Sequence, residues 1–383
     1  MTTPAPTAAN PLDIYLNAMV DCGASDLFLN EGEPPTLRVN GELTQIELPA
    51  PTAATMRSFL ESSLTPIAQK RFEESPDADI AVAAAGSRFR INLFLHGGKL
   101  GLIARHIPVG GVDFSKLGLP EVILNMAEKR SGLILVVGPT GCGKSTTLAS
   151  LINHINHTRS DHIVTIEDPI EFLHLPDKSL IHQRQVGVDT ESFATALRHV
   201  VRQSPDAILI GEMRDTDTMT TALNAALTGH LVLTTLHTTN VVQSIDRILN
   251  YFPPEARPQA QIDLAQTLVG IVSMRLIKRE DTPGRTPAVE VLLATPTVRK
   301  RIAEGEFSEI YDLIKRGQQH GMITLNQSLV ELVQNNIITQ EQALPYSPNP
   351  DELRMNISGM YTGISSISRT EEDEEEEPTA WRS

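Results

Sequence analysis

Cysteine is almost missing from this sequence. Its 383 residues hold two, Cys22 and Cys142, far apart and with no CxxC pair. That excludes a disulfide framework and a four-cysteine zinc site, and it suits a reducing cytosol. Aromatics are scarce too, at 4% with a single Trp, which leaves few rings on which nucleic-acid bases could stack. No apolar run approaches the ~18 residues a spanning helix needs. The start, MTTPAPTAANP, lacks a basic n-region and an apolar h-region. Residues 1–10 therefore read as a flexible arm rather than a signal peptide. Charge, in contrast, is one-sided at −15, and seven of those charges form one run, Glu371–Glu377; taking them from −15 leaves −8. Such an ordinary acidic balance argues against broad nucleic-acid binding. The run cannot bury itself, so residues 359–383 are expected to be a disordered acidic tail.

What is present falls into segments. LDIYLNAMVDCG has helical spacing and stops at Gly23, and DLFLN, PTLRVNGELTQIEL and SRFRINLFLHGGKLGLIARHI read as strands. Asn40-Gly41 and Gly97-Gly98 mark hairpin turns, and residues 52–74 a helix. Together these make a small α+β domain over 11–107. PVGGVDFSKLGLP covers a Gly- and Pro-rich linker, 108–118. Beyond it, short wholly apolar strands (GLILVVG, HIVTIED, DAILIGE, HLVLTTLH) alternate with helices, the pattern of a buried parallel sheet. This predicts a nucleotide-binding α/β domain over 119–290, followed by a helical region over 291–358.

Inside that domain GPTGCGKSTT satisfies GxxxxGK[ST] through Gly138, Gly143, Lys144 and Ser145. It lies directly after a strand and opens a helix, the setting the motif requires. Glycines, Gly141 among them, let backbone amides curl around a phosphate, and the helix N-terminus adds partial positive charge. Lys144 is suited to the β/γ oxygens and the Ser145 hydroxyl to Mg²⁺. Pro139, Thr140, Cys142 and Thr146 complete the nucleotide-contacting stretch, Cys142 merely fitting between glycines. The bland alternative is a glycine turn.

Hydrolysis needs a group that orients or deprotonates water. AILIGE ends in Glu212, with Gly211 where an Asp is usual, and IVTIEDPIEF ends in Glu167 and Asp168. Either acidic end alone could be solvated; two in one P-loop domain point to Mg²⁺ and water chemistry. In GHLVLTTLHTTN, His230 precedes a buried strand and His237 follows it. The strand is expected to carry both toward the same sheet region, where one or both could sense a γ-phosphate. His237 would emerge at the C-terminal edge, where open α/β sheets bind ligands.

In their order and spacing, GPTGCGKSTT, IVTIEDPIEF, AILIGEMRD and GHLVLTTLHTTN resemble the Walker A, Asp box, Walker B and His box of secretion-superfamily hexameric ATPases. The type IV pilus retraction ATPases (the PilT/PilU family) are most similar. The likeness extends to ASDLFLNEGEPPTLRVNGEL, RFRIN and GMITLNQSLVELV, covering about residues 11–355. It implies a RecA-like P-loop ATPase domain preceded by a PAS-like α+β domain, with a C-terminal helical appendage. Implied roles are Glu212 as catalytic glutamate, Glu167 as the Asp-box acid, and His230 and His237 as γ-phosphate readers. Arg88, Arg90 and Arg105 match arginines that reach the nucleotide, although Arg88 and Arg90 alternate with Phe89 and Ile91 and could be a solvated strand face. The role of Arg214 is open.

The resemblance further implies ATP and Mg²⁺ as cofactors, a homo-oligomeric ring, an inner-membrane platform protein and a paralogous retraction ATPase as partners, and no nucleic acid. Location would be cytoplasmic, peripheral to the inner-membrane machinery. Two departures, Ser204 in QSPD and Met274 in SMRL, leave this chemistry intact. A partner-dependent accessory ATPase of the PilU kind, which the long acidic tail suggests, stays open. Pilus-assembly and type II secretion ATPases typically carry a four-cysteine insertion, which this chain lacks.

Overall fold

The computed structural model describes residues 11–39, 41–64, 69, 72–84, 87–107 and 109–359. The expected arm at 1–10 and the acidic tail from 360 onward lie outside the described residues. Two compact units emerge: the chain through Gly111 together with Ile170–Leu175, and Val112–Pro169 together with the chain from Pro176. The boundary at Gly111 falls within the Gly- and Pro-rich segment.

The first unit has helices α1 (Asp13–Asp21) and α2 (Ala53–Ser63) on a six-stranded antiparallel sheet. Its strands are β1 (Asp26–Asn30), β2 (Thr36–Val39), β3 (Glu42–Gln45), β4 (Asp77–Ala84), β5 (Ser87–His96) and β6 (Lys99–Ile107), in the order β3-β2-β1-β6-β5-β4. Strict alternation on β5 sends Phe89, Ile91 and Leu93 into a core with Leu27, Leu102, Leu16 and Phe59. The β5–β6 turn rests on Gly97 and Gly98, at φ +56° and +77°, which glycine adopts without a Cβ penalty. The other face is polar: Arg38, Asp26, Arg105 and Arg90 stand opposite one another across four adjacent strands. In the segment Ile170–Leu175, burial pushes the His174 imidazole down to about 4, so it is neutral at pH 7.

The second unit centres on seven strands: β7 (Gly132–Val137), β8 (His162–Glu167), β9 (Leu180–Gln185), β10 (Ala207–Ile210), β11 (Leu231–Leu236), β12 (Leu268–Lys278) and β13 (Arg285–Leu293). Their order is β13-β12-β7-β11-β10-β8-β9. All neighbours are parallel except the β12–β13 pair. Strands β7, β10 and β11 are buried at every residue, because helices cover both faces. On β7, Leu133, Leu135 and Val137 enter one core while Ile134 and Val136 enter the other. The first core is closed by α5 (Phe193–Val200), α6 (Thr216–Leu227), α7 (Val241–Asn250) and α8 (Arg257–Thr267). The second is closed by α3 (Glu121–Ala127) and α4 (Lys144–Thr158). Each face of such a two-sided sheet removes its own apolar surface from water, which explains the continuous apolar runs.

Sequence patterning predicts four of these strands; β9, β12 and β13 are additional. β9 is the polar edge strand LIHQRQ. β12 follows α8 with no Gly or Pro at the Thr267–Leu268 junction, so no local signal separates helix from strand. The expected C-terminal helices are α9 (Pro296–Glu304), α10 (Ile310–Arg316), α11 (Leu325–Gln334), α12 (Gln340–Ala343) and α13 (Pro350–Ile357). Capping boxes at Thr324/Gln327 and Thr339/Gln342 start two of them. Leu329, Ile338 and Leu353 pack with Ile277 of β12 and Ala288 of β13. Among the described residues no helix is long and apolar enough to cross a membrane.

Candidate nucleotide site

The parallel sheet delivers the candidate residues to one edge. The P-loop follows β7, Glu167 closes β8, Glu212 lies two residues beyond β10 and His237 directly follows β11. Within the loop, Gly143 caps α4 at φ +96° in the left-handed region. At Gly138 a Cβ would come within 2.6 Å of the Met274 carbonyl oxygen and 2.5 Å of Cys142 Sγ, so glycine is required for close approach as well as for the turn. Cys142 is buried, and that burial pushes its thiol pKa up, which makes it a poor nucleophile. Pro139, Thr140 and Gly141 are exposed at the loop's tip, while Ser145 and Thr146 are half-buried on the first turn of α4.

Lys144 is 8% exposed. Its ammonium donates to the carbonyls of Gly138 (2.9 Å) and Pro139 (3.0 Å) and lies 3.5 Å from His237 Nδ1. The opposite ring nitrogen of His237 is 3.4 Å from Glu212 Oε2, and Arg214 Nη2 is 2.7 Å from that same oxygen. An unbroken polar chain thus runs from Arg214 through Glu212 and His237 to the P-loop lysine. Arg214 is mostly solvent-exposed, and its guanidinium pKa is raised first by the hydrogen bond and charge of Glu212, with Asp168 adding.

Glu167 is held differently. Thr165 Oγ1 (2.6 Å) and Gln183 Nε2 (3.2 Å) both donate to its Oε1. The two acidic strand ends are close: Gly211 N–H donates to the Ile166 carbonyl at 2.8 Å, and a Cβ on Gly211 would lie 3.4 Å from Glu167 Cα. Asp168 is exposed, just past the strand.

His230 departs from expectation. The strand register pairs Leu231 with Gly132 and Leu236 with Val137, so His230 stands at the end of β11 remote from the P-loop. Seven residue steps at ~3.3 Å each separate the two histidines by roughly 23 Å. The His230 ring is occupied locally, 2.9 Å from the Ala225 carbonyl oxygen and 3.3 Å from Thr228 Oγ1. The idea that β11 carries both rings to one region is therefore corrected: residues that flank a strand are held apart by its full length. His237→Ala is expected to lower ATP turnover about a hundredfold, and His230→Ala to leave it within about twofold. Steady-state phosphate release from both variants checks this, and equal losses would return His230 to the site by a route that a single chain does not contain.

Arg88, Arg90 and Arg105 belong to the first unit. Arg105 donates to buried Asp26 at 2.8 Å, Arg90 Nε is 3.5 Å from Asp79, and both lie on the polar face with half-buried Arg88. Arg275 and Glu290, which sequence reading passed over, lie beside the loop that follows His237: Arg275 donates to the Thr239 carbonyl and Glu290 accepts from the Val241 amide.

A family profile described as "Type II/IV secretion system protein" matches residues 8–344. The chain belongs to that family. The type IV pilus ATPase PilU of Pseudomonas aeruginosa is 38% identical over 343 residues, covering 89% of this chain and 90% of its own. The type IV pilus retraction ATPase PilT of the same organism is 40% identical over 330 residues, covering 86% and 96%. Among solved structures, the pilus retraction motor PilT with bound ADP superposes with a TM-score of 0.83 at 39% identity, covering 91% of this chain and 99% of that one. This family member therefore shares the RecA-like architecture, with its N-terminal domain and C-terminal helical part, across nearly the full length of PilT.

Proposed function

We propose that this member of the secretion family is a ring-forming motor ATPase that couples ATP hydrolysis to type IV pilus retraction. The observation that carries the reading is the polar chain Arg214–Glu212–His237–Lys144 at the C-terminal edge of the sheet. A chain that joins an acid, an imidazole and a P-loop ammonium supports reading this edge as the nucleotide site. The names of the PilT and PilU relatives, and the ADP held by the PilT structure, support the activity and its purpose.

In this reading Lys144 exchanges its two loop carbonyls for β/γ-phosphate oxygens, aided by the backbone N–H groups of Thr140–Thr146 and the N-terminus of α4. His237 reads the γ-phosphate and Glu212 orients and deprotonates the attacking water. Glu167 supports the same water from the adjacent strand end. Arg88, Arg90 and Arg105 answer the charge that develops on the transferred phosphoryl group, and coupling that demand to a moving domain makes closure a stroke.

The donor set also fits Mg²⁺. Ser145 Oγ and the carboxylates of Glu167, Asp168 and Glu212 are hard oxygen donors, and among the described residues no group of three or more His, Cys, Asp or Glu forms a ready-made cage. That suits an ion held by one or two protein oxygens together with substrate phosphates. When bound, the ion would neutralise phosphate charge.

The working unit would be a hexamer at the cytoplasmic face of the inner membrane. It would meet the pilus platform protein and a paralogous retraction ATPase. The domain limits read from sequence (11–107, 119–290, 291–358) serve as its functional divisions, with the last boundary moved past Leu293, where β13 ends. A second reading, an accessory ATPase that needs a partner motor, is kept beside it, since the 38% identity to PilU and the 40% identity to PilT do not separate the two. Light scattering combined with steady-state ATPase assays is expected to find a ring that turns over ATP unaided. A ring with negligible turnover until a paralogue is added would favour the accessory role, and a permanent monomer would overturn the motor.

A further inference from the structure

Glu290 is an acid where the sheet has no evident use for one. It sits on β13, paired with Ser273 of β12, and is 5% exposed. Burial raises its carboxyl pKa, opposed by the Val241 amide and the charge of Arg275. A buried carboxyl is costly unless it is hydrogen-bonded. Its partner is the backbone N–H of Val241, 2.9 Å from Oε2, the first amide of α7 and one of the helix's orphan donors. The acid also meets the positive end of the helix dipole.

Beside it the loop Thr238–Asn240 is gripped from β12. Ser273 Oγ donates to the Thr239 carbonyl at 3.2 Å, and the Arg275 guanidinium donates to that oxygen as well. Asn240 caps the next turn through Gln243 N–H (2.8 Å), and Thr238 Oγ1 is 2.6 Å from Ser244 Oγ. The residue immediately before this loop is His237.

We propose that Glu290 is a positioning residue for hydrolysis: by fixing the first amide of α7 it sets the loop that aims His237 at Glu212 and Lys144. The inference rests on the role of His237 given above.

The test is a double-mutant cycle on the full chain. Glu290→Ala is expected to lower kcat about ten- to a hundredfold with KM for ATP little changed, as for a displaced catalytic group. Glu290→Gln, which keeps an acceptor oxygen for Val241, should recover part of the loss. In a His237→Ala background, Glu290→Ala should add almost nothing, since the two act through one ring. Nucleotide-free hydrogen exchange should show faster exchange confined to residues 238–243. If Glu290→Ala does not fold, Glu290→Gln takes its place in the cycle. Losses that multiply in the double variant, or exchange accelerated across the whole sheet, would overturn the positioning role. Intact turnover in His237→Ala alone would instead overturn the reading of His237, so the two failures are distinguishable.

Discussion

Glu212→Gln is expected to reduce ATP turnover by about two to four orders of magnitude while ADP affinity changes by no more than about threefold. Glu212 follows a strand buried at all four residues, so the backbone delivering it has little freedom. Glutamine preserves the shape and can still meet His237, but it cannot accept a proton from water. Phosphate-release assays beside fluorescent-ADP titration measure both quantities. A parallel fall in affinity would make Glu212 a binding residue. Retained turnover would shift the base to Glu167, which Thr165 and Gln183 already orient.

Lys144→Ala is expected to weaken nucleotide binding about a hundredfold or more, because each charge-assisted hydrogen bond lost is worth roughly 1.5–3 kcal/mol. Before nucleotide arrives, this ammonium is the internal tie of its own loop, bonded to the Gly138 and Pro139 carbonyls. Removing it therefore loosens the empty cradle as well as deleting a phosphate ligand. Lys144→Arg should not rescue. A planar guanidinium cannot replace a compact ammonium in a position only 8% exposed. ADP titration of both variants checks this, and rescue by arginine would show that charge alone, without the fit to the two carbonyls, accounts for binding.

Much of the site was legible before any coordinates. The P-loop, Glu167, Glu212 and His237 each sit at the end of an apolar run, and in a parallel sheet such ends gather at one edge. His230 was misread for a related reason. A motif records that two residues share a strand, and only the register with β7 shows that they occupy opposite ends. Arg214 stood in GEMRD with no role, and its pairing with Glu212 could not be inferred from spacing. Glu290 was invisible in a different way. In TPAVEVLL it looks like a single polar residue interrupting an apolar stretch, and its meaning lies in an amide 49 residues earlier.

For this protein the sequence alone determined the P-loop motif between strand and helix, the order of the two units, the parallel core and the family. All of these are written in local runs, in glycine spacing and in periodicity. Only the tertiary structure decided that β12 and β13 complete the sheet, that His237 and not His230 meets Glu212, and that Lys144 rests on its own loop. Those facts depend on strand order and register, which arise when distant segments bury apolar surface together and which no short window of residues encodes.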